Sequence, residues 1–142
     1  MKIKAIAIAA MLVAGFAHAA DPAEGLWKTI DDKTGKTKAL VQITDKGGVL
    51  SGVIMKRINP PSDICSDCEG QFKGKSLKGV QVFSGLKNTS DHEYSGGTII
   101  DPKTGKTYRM NAELSADGKT FKPHGYIGIA LIGRTQTWVR AE

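Results

Sequence analysis

The chain has 142 residues, 24 % of them charged and only 6 % aromatic, with a formal net charge of +6. That length suits one domain with a real core. The positive charge does not indicate a nucleic-acid partner: the lysines are scattered through turns and strand edges without aromatic interleaving, which is the pattern of solvated faces.

In chain order, the first element is a leader. Lys2 and Lys4 open it, Ala5 to Phe16 is uncharged and apolar, and Ala17-His18-Ala19 is a small-x-small cleavage site. Residues 1–19 are therefore expected to be a cleaved signal peptide, with the mature chain starting at Ala20. The apolar stretch falls short of the roughly 20 residues a spanning helix needs. No cysteine stands at the cleavage point to carry a lipid, and no later segment is apolar enough to span a bilayer. Export implies the periplasm, or release beyond the outer membrane, and an oxidising environment. Without Lys2 and Lys4 the mature domain, 20–142, carries a formal charge of +4.

The mature sequence is rich in Gly, Thr, Val and Ile, and its short alternating runs are separated by turn signals. Eight strands are predicted: Gly25–Ile30, Thr37–Thr44, Val49–Arg57, Val80–Leu86, Glu93–Ile100, Thr107–Leu114, Thr120–Ile127 and Arg134–Arg140. Alternation is plainest in the sixth, where Tyr108, Met110, Ala112 and Leu114 share one face. Asp45-Lys-Gly-Gly48 and Ala116-Asp-Gly-Lys119 are hairpin signals. One turn occurs twice: residues 29–37 match residues 99–107 at seven of nine positions. Lysines stand where calcium ligands would be needed, so the repeat is expected to be a shared hairpin, with Asp capping the turn and Gly in its left-handed position. No metal or cofactor is expected.

Short links between successive strands make an antiparallel meander, and eight such strands do best by closing on themselves. The expected fold is all-β, an eight-stranded antiparallel up-and-down barrel. A transmembrane barrel is disfavoured because it needs strands of about 9–11 residues and aromatic girdles.

One long connection, 58–79, interrupts the meander and contains Cys65-Ser-Asp-Cys68. Two cysteines this close in an exported protein are expected to form a disulfide. A redox Cys-x-x-Cys normally sits at a helix N-terminus; here Asp63, Asp67 and Glu69 surround the pair, and carboxylates raise a thiol pKa. Catalytic patterns fail. Gly70 to Ser76 resembles a phosphate loop, but Glu69 holds the first-glycine position, and His92-Glu93 lacks a second His four residues on. No catalytic residues are assigned, and the chain is not expected to be an enzyme.

The two ends of the domain are more telling. Gly25-Leu-Trp27 opens the first strand, and Arg134, Gln136, Trp138 and Arg140 share one face of the last. In a closed barrel these strands are neighbours, so Arg134 or Arg140 can lie over Trp27 and shut one end. Residues 125–133 are almost wholly apolar. They are expected to pack as core; the alternative is an apolar rim for a ligand, a partner or a homodimer through 127–132.

These features resemble the family called domain of unknown function 2147. The resemblance covers nearly the whole mature chain. It rests on Gly25-x-Trp27, the Asp-Lys-Thr-Gly-Lys turn, Cys65-x-x-Cys68, residues 96–102, and Gly125-Tyr-Ile-Gly through Trp138. It implies an exported bacterial protein with a lipocalin-like barrel, since Gly-x-Trp with a late Arg is also the lipocalin and calycin signature. It supplies no catalytic residues.

The function expected by fold analogy is binding of a small apolar molecule inside the barrel, with Val41, Ile43, Tyr94, Tyr108 and Met110 as candidate lining residues. The alternative is an envelope interaction module with a filled barrel and no ligand. A weaker one is thiol–disulfide exchange at Cys65 and Cys68.

Overall fold

The computed structural model describes residues 19–130 and 132–141. The expected signal peptide lies, apart from Ala19, outside the described residues.

Eleven strands occur among the described residues: β1 Gly25–Ile30, β2 Thr37–Lys46, β3 Val49–Arg57, β4 Ile64–Cys65, β5 Lys75–Ser76, β6 Gln81–Ser90, β7 Glu93–Asp101, β8 Lys106–Leu114, β9 Thr120–Tyr126, β10 Arg134–Thr135 and β11 Trp138–Arg140. Eight of them, in the order β1-β2-β3-β6-β7-β8-β9-β11, pair antiparallel, and β11 closes on β1. The result is a closed up-and-down barrel. β10 extends the β9 edge, and β4 and β5 form a small separate hairpin within the long loop.

Two features differ from expectation. The last strand is interrupted: its register against β9 is continuous and Gln136 N–H bonds to Pro123 O, but Pro123 has no N–H to return, so β10 and β11 are separate. Four strands, β2, β6, β7 and β8, run longer than the sequence indicated, with ten residues each in β2 and β6. Strand length therefore does not distinguish this barrel from a membrane one. The sidedness does. Apolar side chains point inward, while Lys28, Arg109, Glu113 and Lys122 are exposed on the outer face, the reverse of a lipid-facing barrel.

The repeated turns have the same build. Asp31 Oδ1 accepts from the N–H groups of Lys33 and Thr34 (2.8 and 3.0 Å), and Asp101 Oδ1 accepts from Lys103 N–H (2.9 Å). Gly35 and Gly105 take φ of 70° and 74°, a region other residues avoid. The two backbone bonds hold the Asp31 carboxyl below the usual carboxylate range. Both turns lie at the same end of the barrel, together with the 58–80 loop and the 127–133 connection.

Candidate ligand site: a sealed barrel with an open mouth

The opposite end is sealed. Arg140 lies directly across from Trp27 in the ladder, with its guanidinium carbon 4.3 Å from the centre of the Trp27 ring system. The same guanidinium donates to the carbonyls of Gly118 (2.8 Å), Glu24 (2.9 Å) and Pro22. Gly25 makes room for it: at φ 140° its missing Cβ would stand 2.6 Å from Arg140 Nη1. Trp27 Nε1 donates to Ala23 O, which pins the N-terminal segment beneath the barrel. Arg134, the other candidate, is at the mouth and pairs with Asp32 at 2.8 Å.

Tyr94 completes this end. It is 2 % exposed, and its hydroxyl donates to Asp21 Oδ1 at 2.6 Å. Desolvation first, then that hydrogen bond and the negative charges of Asp21 and Asp45, push the hydroxyl well above its usual pKa. A raised folded pKa adds stability below the unfolded value near 10, and that stability is lost as pH climbs above it. The urea midpoint is thus expected to fall above about pH 10, and Tyr94→Phe to flatten the fall. An alkaline slope identical in the variant would remove Tyr94 as its cause.

Above the seal, aromatic rings fill the interior. Phe121 contacts Trp27, Phe83, Tyr94 and Trp138, with ring centroids 5.7–6.3 Å apart. Ile43 and Met110 are fully buried beside them. Ile43, Tyr94 and Met110 therefore belong to the packed base and line neither of the spaces at the mouth. An eight-stranded barrel is just wide enough to be filled by side chains, and five large aromatics do so here together with Ile43 and Met110.

The mouth is not filled. One space of about 280 Å³ has a floor of Val41, Ile54, Leu77, Val82 and Trp138. The Cys65–Cys68 disulfide covers it, and Asp31, Lys38, Arg57 and Asp101 rim it. A second space, of about 410 Å³, is walled by Ile99, Tyr108, Tyr126, Ile127 and Ile132, with Arg134 and Gln136 at its edge. The two share Lys38, Val82, Asp101 and Pro102, so they adjoin. Of the expected lining residues, Val41 faces the first space and Tyr108 the second. Val82, Ile99 and Lys38 were not anticipated. Their one sequence signal is position: each lies near the strand end that abuts a mouth loop.

The loop over the first space is anchored in several ways. Arg57 N–H bonds to Asp63 Oδ1, Arg57 Nη1 to Ile64 O, and Arg57 Nη2 approaches Asp67 at 3.7 Å. Glu69 N–H bonds to Lys103 O, docking the loop on the second repeated turn. Both sulfurs belong to residues 2 % exposed, with Asp67 Oδ1 3.3 Å from Cys65 Sγ. Burial beside a carboxylate is the setting of a structural disulfide.

A family model described as "Uncharacterized protein conserved in bacteria (DUF2147)" matches residues 25–140. The chain belongs to the DUF2147 family. Among solved structures, this DUF2147 barrel is similar to protein HP1028 from the human pathogen Helicobacter pylori, described as belonging to the lipocalin family. The two are 21 % identical, with a TM-score of 0.67, over 84 % of this chain and 82 % of that one. At that identity the likeness shows the fold alone, a lipocalin-like barrel. No curated protein sequence matches the chain.

Proposed function

We propose that this DUF2147 protein is an exported, non-enzymatic binding protein. It holds a small molecule with an apolar body and a polar end in the mouth of its barrel. One observation carries the reading: two adjoining spaces with aliphatic and aromatic walls open at one end of a barrel whose other end is sealed. Apolar walls with a few polar groups at the rim are the general form of a small-molecule site. Asp31, Lys38, Arg57, Asp101 and Arg134 would meet the polar end. The leader at 1–19 supports export to the periplasm.

Val82 borders both spaces, so Val82→Trp should block them together. A hydrophobic fluorescent probe such as anilinonaphthalene sulfonate is expected to bind the wild-type protein and to lose about tenfold in affinity in the variant, roughly 1.4 kcal/mol. Equal affinity in a Val82→Trp protein of unchanged melting temperature would sink the proposal. Native mass spectrometry of protein purified from its own periplasm would name the ligand class. A second reading, an envelope interaction module without ligand, draws on the filled base and on Ile127, Ile129 and Ile132, which are 63–69 % exposed.

A further inference from the structure

Ile127, Ile129 and Ile132 do not pack as core. The connection is nevertheless held in place. His124 Nε2 lies 2.6 Å from Ala130 O, His124 Nδ1 lies 2.8 Å from the Thr135 hydroxyl, and Ile132 N–H bonds to Ile129 O at 3.0 Å. An anchored loop that still presents three isoleucines to water calls for a partner that covers them.

Size and charge decide which partner. The three isoleucines leave on the order of 400 Å² exposed, about half of the roughly 800 Å² per partner of a stable dimer. Charge is divided between the two ends of the barrel. At the mouth, segments 31–38, 57–80, 101–106 and 126–134 hold ten Lys and Arg against six Asp and Glu. At the sealed end, segments 21–24, 45–49, 90–93, 115–119 and 140–141 hold three against six. The apolar tip thus projects from the positive end. Exposed apolar side chains at the net-positive end of a domain suit a bilayer interface rich in anionic lipid, where burial and electrostatic attraction add.

We infer that the mouth docks on an anionic phospholipid surface, with Ile127, Ile129 and Ile132 at the boundary between headgroups and acyl chains. Ile127 and Ile132 also wall the second space. Docking therefore sets that space against the lipid, and an amphiphile with an acyl chain can pass between them. The ligand class rests on the binding reading above; the docking does not.

The test uses sedimentation with phosphatidylglycerol–phosphatidylethanolamine vesicles and with phosphatidylcholine vesicles. Ile129 borders neither space. The wild-type protein is expected to bind the anionic vesicles about tenfold more than the neutral ones, and to be released by high salt. Ile129→Asp should cut anionic-vesicle binding about tenfold while leaving probe binding in buffer unchanged; Val82→Trp should do the reverse. In Ile129→Trp, indole emission should shift to the blue on anionic vesicles. Absence of wild-type vesicle binding, equal binding by Ile129→Asp, or a dimer that Ile129→Asp turns into a monomer would each overturn the docking. The binding reading would then still stand or fall on Val82→Trp.

Discussion

Replacing Phe121 by alanine is expected to destabilise the barrel by about 3–5 kcal/mol and to lower its melting temperature by about 10–20 °C. Phe121 is fully buried at the centre of the aromatic cluster. Its removal deletes contacts with four rings at once, and pairs of this geometry contribute about 0.5–1.5 kcal/mol each beyond area burial. The neighbours cannot collapse into the gap, because three of them are tethered by polar atoms. Trp27 Nε1 is held by Ala23 O, Trp138 Nε1 by Gln136 Oε1, and the Tyr94 hydroxyl by Asp21. The cavity should persist, stay dry and take up xenon or benzene. Urea denaturation with calorimetry measures the loss; a value below about 1 kcal/mol would mean the cluster is loosely packed. Because the cavity lies in the base, probe binding at the mouth should survive in the folded variant.

Arg140→Ala should lower stability by about 3 kcal/mol. Three carbonyls lose a charged donor, and Trp27 loses the cation over its ring. Those carbonyls come from the N-terminal segment and the β8–β9 turn, so the loss should appear first as detachment of residues 19–24, read by hydrogen exchange. Arg140→Lys should recover less than half, since one ammonium cannot reproduce a planar fork of donors placed over an indole. Arg134→Ala is the control. Its ion pair with Asp32 is largely solvent-exposed, and such pairs contribute at most about 1 kcal/mol. Equal losses at the two arginines would contradict the assignment of Arg140 as the seal.

Much of this was legible in the sequence because it is local. Strand alternation, the Asp–Gly turns and the repeated Asp-Lys-Thr-Gly-Lys hairpin depend on neighbours within a few residues, and seven of the eight barrel strands begin within one residue of expectation. The break between β10 and β11 was not legible. It depends on Pro123, whose missing N–H leaves Gln136 without a return bond and which only the pairing of β9 with the last strand brings to that point.

The site divides in the same way. Alternation marks the apolar strand faces that carry Val41, Ile43, Tyr94, Tyr108 and Met110. It carries no depth, so it could not separate Val41 and Tyr108 at the mouth from the other three in the base. Depth depends on which strands stagger past one another and on where the five large aromatics meet. Likewise Trp27, Arg134 and Arg140 were marked by residue type, but the choice of Arg140 required the register that sets it opposite Trp27.

By itself, then, the sequence determined the strands, the turns, the inward faces and the two residue types of the seal, because each is a matter of short-range periodicity and backbone preference. Only the tertiary structure decided that the base is solid, that the mouth is open, and that Ile127, Ile129 and Ile132 face outward. Each depends on how much volume side chains from distant strands occupy when the barrel closes.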